Sequence, residues 1–487
     1  MATEFHNWGL TVQNTPALTF VPTTVHGLEQ VVSWAKANGK RVRAAGYRHT
    51  WTNLFSENDE VFVSMLDLKT ANTVPDPSSI LPNSPSNANN EFKQIEMAPA
   101  DVPGSGGLKR LVRIGAAVTN EELRRWSIKG DAWTLPMNVV MVEITIGGSN
   151  VPICHGGGIQ HKTLSDLVRK IEYVDANGKH QEVTDPKLLK AAAGAFGLLG
   201  VVTHVTMELD KMTYAEMKPL KQDVNLAIPP PSGFTVPSAI AKKYTAAQLE
   251  TARSEFIRKA GNNYYSEWFW FPYQQDAFVN CWDRTDKKLG AIDYPTYPDL
   301  FLQWVQGWLG GVINDDPLFR KLPGHWQAVL LGTLAMVAMP PQLGIINKNI
   351  KTYLIDGLHF RRGVQNMRVR DIELQIPIPA LASDPSKPDW GVVQKAWWDA
   401  IAAVYADPTA PMRIALEMRI MADSDMIMAP QKGNTFGTAS IEVLTTMPAV
   451  AEGVWSPFAQ KVADKWMGLK DGSGKRLNTR PHWAKEW

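Results

Sequence analysis

The chain has 487 residues, 44% hydrophobic and 20% charged, enough for two or three domains whose cores need no disulfide staples. Fifty basic against forty-eight acidic side chains leave a formal charge of +2, which excludes the concentrated basic charge of an electrostatic nucleic-acid binder. Only Cys154 and Cys281 are cysteines, so a disulfide scaffold and any all-cysteine zinc site are excluded as well. The opening MATEFHNWGL has no basic stretch ahead of an apolar one, and the longest apolar run, residues 328–339, has 12 residues where about 20 are needed to cross a bilayer. The expectation is an intracellular, cytoplasmic protein without stable membrane insertion.

In chain order, residues 24–38 carry Leu28, Val31, Val32, Trp34 and Ala35 at helical spacing; Gly39 stops this helix and residues 41–45 follow as a strand. Residues 75–90, rich in Pro, Ser and Asn, read as an exposed excursion. Then come a strand at 111–114 and a helix at 119–129, capped by Thr119 or Asn120. A hairpin follows, 170–174 with 180–183, turned by Asn177-Gly178 in a type I′ turn. A β-branched strand at 201–209 closes this region. Residues 228–238 (IPPPSGFTVPS) are the clearest linker candidate. Beyond them lie a helix at 246–260, an aromatic strand at 264–271 and an apolar, Trp-rich tract at 300–343. Strands at 368–376 and 413–421 flank a helix at 394–406. Nine of the 18 tryptophans fall between 268 and 398, marking either a site for something large and apolar or simply core.

The phosphate-cradling GxxxxGK[ST] loop, the HExxH zinc helix and the G-x-S-x-G nucleophile turn are absent. Four segments carry more chemistry. RAAGYRHTW (43–51) ends a strand with a glycine turn whose backbone N–H groups suit a pyrophosphate. ITIGGSNVPICHGGG (144–158) has glycines that let a backbone approach a large planar or phosphate-bearing ligand; Cys154 and His155 lack partners at zinc spacing, so no metal is expected. Glu417 and Arg419, at i and i+2 on a strand, project from one face, as a catalytic pair or as a surface ion pair of little worth. PHWAK (481–485) ends in a Trp-bearing segment that should dock rather than fray.

Together with LSDLVRKIEYVDANG, GAFGLLGVVTHVTMEL and LEMRIMADSDMIMAP, these segments resemble the vanillyl-alcohol-oxidase, or PCMH-type, FAD flavoproteins. Within that family the resemblance is to the branch with aldonolactone, alditol and type II cholesterol oxidases. It covers most of residues 5–210 and 365–487. It implies an α+β protein: a PCMH-type FAD-binding domain of two subdomains (1–212), a mixed α/β substrate or cap domain with a large antiparallel sheet (213–455), and a C-terminal segment returning to the flavin (456–487). The cofactor would be FAD, held by Ala45, Gly46, Tyr47, Arg48, His49, Thr50, Thr145, Gly148, Ser149, Cys154, His155, Gly156, Gly157, Gly200, Val202, His482 and Lys485.

The resemblance makes His49 the 8α-histidyl link. Pro152 and Cys154 depart from the usual second loop, and the position of a second, cysteinyl tether falls near Thr145, so a single link is expected. The implied reaction oxidises a C–OH group to a carbonyl, with hydride to flavin N5 and O2 reduced to hydrogen peroxide. Glu417 would be the base or orient it, Arg419 would stabilise the alkoxide, and Lys485 would place positive charge by the flavin N1–C2 carbonyl. The Trp-rich tract favours a bulky, partly apolar alcohol, sterol-like or a hydroxylated lipid, over carbohydrates and lactones. A dehydrogenase with another acceptor, and a non-redox flavin- or ligand-binding protein, are the rival classes. The oligomeric state is not legible.

Overall fold

Strand alternation sorts the chain into three main sheets in the computed structural model, which describes residues 4–72, 89–359, 368–447 and 450–486. The first sheet is parallel: β1 (Leu18–Phe20) and β2 (Val42–Ala45) flank β3 (Val61–Ser64), with α1 (Val25–Ala37) crossing from β1 to β2. Thr24 caps α1 by accepting from the Gly27 N–H, and the helix buries Leu28, Val32 and Ala35 while Trp34 stays exposed. The excursion expected at 75–90 lies outside the described residues except for its last two.

The second sheet is antiparallel. It contains β4 (Ile95–Asp101), β5 (Lys109–Gly115), β6 (Val168–Val174), β7 (His180–Val183) and β8 (Val201–Lys211), in the order β7-β6-β8-β5-β4. β8, the last strand of this region in sequence, lies at the centre of the sheet. Between β5 and β6 lie α2 (Asn120–Gly130) and the short α3 (Ile146–Asn150). Thr119 rather than Asn120 caps α2, in a reciprocal box with Glu122. The β6–β7 hairpin forms, but not through a two-residue type I′ turn. Its loop runs over residues 175–179, with Gly178 at φ +72° and Asn177 outside the left-handed region. The Asp175 carboxylate accepts from the N–H groups of Asn177 and Lys179, which supports the longer loop.

The third sheet is antiparallel and nine-stranded. In chain order it is built from β9 (Tyr214–Met217), α4 (Ala246–Asn262), β10 (Tyr265–Trp270), β11 (Asp276–Thr285), α5 (Tyr297–Asp315), α6 (Gly324–Ala338), β12 (Ile350–Tyr353), β13 (Val369–Pro377), α7 (Trp390–Tyr405), β14 (Leu416–Met421), β15 (Thr438–Thr446), α8 (Glu452–Met467) and β16 (Arg480–Pro481). The strand order is β12-β9-β11-β10-β14-β15-β13-β16, with Leu220–Asp223 pairing β11. One face packs on α4, α7 and α8: Trp268 and Trp270, Leu416, Met418 and Ile420, and Ala439, Ile441 and Val443 join Trp397, Trp398 and Trp466 in a single core. The opposite face carries the alternate residues and is turned toward the loops of the first half of the chain.

One expectation fails here for packing reasons, and one open alternative is resolved. Residues 228–238 are not a flexible linker, because Ile228 is buried and its carbonyl accepts from Trp398 Nε1 at 2.7 Å, while the Pro229 carbonyl accepts from Gln394 Nε2 at 2.7 Å. The tryptophan cluster is mainly core: Trp268, Trp270, Trp282, Trp397 and Trp398 are fully buried. The loop of residues 154–158 is tied to the third sheet, since the Gly158 N–H donates to the Ile420 carbonyl at 2.6 Å. Gly158 sits at φ +105°, and a Cβ there would lie 2.0 Å from the Tyr264 carbonyl oxygen. Gly158→Ala is therefore expected to cost about 2 kcal/mol or more, read as a lower urea midpoint with secondary structure retained.

Candidate active site

Register builds the site. Phe269, Glu417, Glu442 and Glu373 are direct cross-strand partners over β10, β14, β15 and β13, and Glu267, Arg419, Ser440 and Gln375 form the adjacent row. All point away from the helical core because Met418, Ile441 and Leu374 point into it. Like charges directly opposite in a sheet repel, so three carboxyls in one row require cations. Arg419 supplies one: its Nε lies 2.8 Å from Glu417 Oε1 and its Nη2 2.5 Å from Glu442 Oε1. Lys485 supplies the other, with Nζ 2.7 Å from Glu442 and 3.5 Å from Glu373, and paired to Asp371. This is a buried network, not a surface ion pair: Glu417 and Arg419 are only 5% and 6% exposed.

The row splits the proton affinities of its members. Burial, then the neighbouring Glu442 and Glu267 carboxyls, pushes Glu417 well above the ordinary carboxylate range, against the pull of Arg419. Burial also acts to raise Glu442, but the Lys485 and Arg419 charges outweigh it and hold that carboxyl down at about 2. Glu417 therefore holds a proton more tightly than Glu442 does. Glu267 accepts from Asn280 Nδ2 at 2.9 Å and from the Tyr265 hydroxyl at 3.1 Å. Glu373 accepts from Gln375 and lies 2.7 Å from His155 Nε2. His155, Glu373 and His482 bring ligand-type atoms within 4.8 Å of one another. The Lys485 ammonium beside Glu373 and the donors already on that carboxylate disfavour a metal cation there.

The C-terminal segment delivers Lys485. Arg480–Pro481 pairs with β13, the Trp51 N–H donates to the Ala484 carbonyl at 2.9 Å, and the Thr52 hydroxyl donates to the Trp483 and Lys485 carbonyls. The ammonium also lies 5.3 Å from the centre of the Trp51 ring. Lys485 is thus not a free positive charge, because three carboxylates share it.

Ala45, Gly46, Tyr47, Arg48, His49, Thr50, Thr145, Gly148, Gly200 and Val202 all line one groove between β2, α3 and the start of β8. His49 stands at its inner end. Its Nε2 is 2.7 Å from the Glu143 carbonyl and so carries the proton, while its buried Nδ1 has no partner; burial lowers the imidazole pKa to about 4. His49, Thr50, Ile144, Gly148 and Pro152 line both this groove and a central cavity. Cys154, His155, Glu417, Arg419, His482 and Lys485 stand around that cavity. Burial drives the Cys154 thiol up to about 12, so it is not a nucleophile. Val140, Phe271, Met339 and Ile414 in turn line both the central cavity and an apolar one walled by α5 and α6.

Three expected cofactor contacts are not on these walls. Ser149 donates back to the Ile146 carbonyl at 3.1 Å. Gly156 and Gly157 abut Asn138 and the Tyr265–Ser266 segment, so their lack of a side chain lets protein backbones meet rather than a ligand approach. Sequence reasoning missed Glu267, Asp371, Glu373 and Glu442. The one signal was polar alternation inside otherwise apolar strands, as in D-I-E-L-Q-I at 371–376.

No family model matches the chain. L-gulono-1,4-lactone dehydrogenase of Mycobacterium tuberculosis is 24% identical over 59% of this chain, which spans about half, 54%, of that protein's length. L-gulonolactone oxidase of Bos taurus is 21% identical over 99% of this chain and 89% of that protein. Among solved structures, cholesterol oxidase from B. sterolicum superposes with a TM-score of 0.66 at 14% identity, covering 100% of this chain and 86% of that one; this likeness is one of fold. The charge network yields its own prediction. Arg419→Met leaves buried carboxylates without their cation and should cost about 3–5 kcal/mol. Because Arg419 helps to depress Glu442, the loss should be full at neutral pH and shrink as pH falls from the ordinary carboxylate value toward 2. Urea midpoints of both proteins across that range read it.

Proposed function

We propose that this chain, a member of the vanillyl-alcohol-oxidase type of FAD flavoproteins, oxidises a C–OH group to a carbonyl. The observation that carries the reading is the carboxyl row with Arg419, set where a groove and an apolar cavity meet. The groove fits the cofactor: it is lined by backbone from 42–50 and by Gly147 and Gly148, and it ends at a neutral imidazole whose Nδ1 lone pair is unused. When bound, FAD would supply the redox chemistry, taking up hydride from the carbinol carbon and passing the electron pair on to oxygen. Residues 1–212 would hold it, 213–455 would form the substrate side, and 456–487 would return to complete the site.

In this reading His49 is the covalent attachment point, through Nδ1. Glu417, when ionised, takes the hydroxyl proton; Arg419 stabilises the oxyanion as it forms and keeps Glu417 and Glu442 in place. Lys485 fixes Glu442, Glu373 and Asp371, and His155 and His482 pack the same wall. Phe271, Phe278, Tyr294, Leu331 and Leu334 line the apolar cavity and favour a bulky, partly apolar alcohol. The gulonolactone-related proteins favour a second reading, a carbohydrate or aldonolactone substrate. One of these relatives is named a dehydrogenase and the other an oxidase, so the acceptor is tested separately.

Flavin absorbance should stay with the polypeptide after denaturation and desalting, and His49→Ala should release it. Release from the unaltered protein removes the covalent role alone, whereas protein expressed with ample FAD and still free of flavin sinks the whole reading. Glu417→Gln should slow flavin reduction by substrate about 10²–10⁴-fold with little change in substrate affinity. Because the active form of Glu417 is ionised and its pKa is raised, kcat/KM should climb with pH through a value above the ordinary carboxylate range. Glu442→Gln removes a like charge and should move that limb to lower pH. Turnover of sterol-like alcohols against aldonolactones ranks the substrates, and peroxide release on admitting air to reduced enzyme identifies an oxidase.

A further inference from the structure

The α5–α6 hairpin has an inner side that faces the cavity and an outer side that is apolar. Its inner side walls the apolar cavity through Gln303, Gln306, Gly310, Leu331, Leu334 and Ala338. Its outer side presents Tyr297, Phe301, Trp308 and Val312 on α5, and Trp326, Leu330 and Val337 on α6, each between 41% and 68% exposed. Both sets recur at helical spacing, so each helix carries a continuous outward stripe. The two helices pack together, and the loop after α6 adds exposed Leu343 and Ile345. No Asp, Glu, Lys or Arg occurs at 300–314 or at 322–347.

A charge-free apolar face of this extent is uncommon on a surface facing only water. Tryptophan and tyrosine, with apolar bodies and one polar tip, are the side chains that favour the headgroup boundary of a bilayer. The charges at the rim are mixed, with Arg320 and Asp315 paired at 3.2 Å, so they offer little net attraction to anionic lipid. Among the described residues no helix is long and apolar enough to cross a membrane. A hairpin of this kind lies on a bilayer rather than spanning it.

We infer that the outer face of the α5–α6 hairpin docks on a lipid bilayer surface, held by apolar burial rather than by charge. Docked in this way, the hairpin is the wall between the acyl region and the apolar cavity, and an apolar alcohol would pass from lipid into the site without crossing water. That second statement rests on the proposed function; the docking does not.

The test is flotation of the full-length holoprotein with phosphatidylcholine vesicles, in the absence of substrate. Cofractionation is expected, with little change at high salt or on adding phosphatidylserine. The paired substitution Trp308→Glu, Trp326→Glu should cut partitioning at least about tenfold at an unchanged melting temperature, and Phe301→Gln, Val337→Gln should do the same by a milder route. Absence of flotation overturns the proposal. So does binding confined to anionic vesicles and lost in salt, or a solution dimer that the same variants split while vesicles have no effect, which would assign the face to self-association. Since no turnover is read, failure here leaves the oxidation chemistry standing, and failure of that chemistry leaves the docking result intact.

Discussion

Three glutamates face one another in a single row across β14, β15 and β13, an arrangement that repels itself unless cations are built around it. Arg419 comes from the same strand as Glu417, one step along the face turned away from the helical core. Lys485 comes from the far end of the chain and reaches the row only because the C-terminal segment adds to β13 and hydrogen-bonds to Trp51 and Thr52. The segment that neutralises the row thus also anchors the loop that carries His49. Groove, carboxyl row and terminus form one cooperative unit, and loosening any of them exposes uncompensated charge.

The same logic explains the division of the large sheet. Its helical face is filled by tryptophan, isoleucine, leucine and methionine, which remove water and give the strands a rigid backing. A polar network on the other face can then be held by register alone. Gly158 extends that register into the first half of the chain by pairing with Met421, so the loop bearing Cys154 and His155 is positioned by the strand that bears Glu417 and Arg419.

Local chemistry was legible in the sequence and long-range register was not. Glu417 and Arg419 stood out because they sit two residues apart on one strand, and the groove residues because RAAGYRHTW is contiguous. Glu442, Glu373 and Glu267 lie on three separate strands far apart in sequence, and only cross-strand pairing brings them together. The proline run at 229–231 misled because proline signals a break in regular structure without saying whether the segment is buried; here the Pro229 and Ile228 carbonyls accept from the α7 side chains Gln394 and Trp398. The tryptophans left two readings open through size, since a large aromatic fills a core as readily as it lines a site.

Charge balance ties the site to its chemistry. The cluster holds five carboxyls, Glu267, Asp371, Glu373, Glu417 and Glu442, against two permanent cations, Arg419 and Lys485. Burial raises the proton affinity of Glu267, Asp371 and Glu417, while Glu373 and Glu442 are held down by their cationic and hydrogen-bonding neighbours. Two permanent cations facing five carboxyls favour protons on part of the cluster, and burial favours them on Glu267, Asp371 and Glu417. In the proposed reaction Glu417 must be ionised to accept a hydroxyl proton, which places a negative charge where burial opposes it. The pH dependence of such a step therefore belongs to the cluster as a coupled whole rather than to Glu417 alone, and every residue that fixes Arg419 or Lys485 contributes to it without touching substrate.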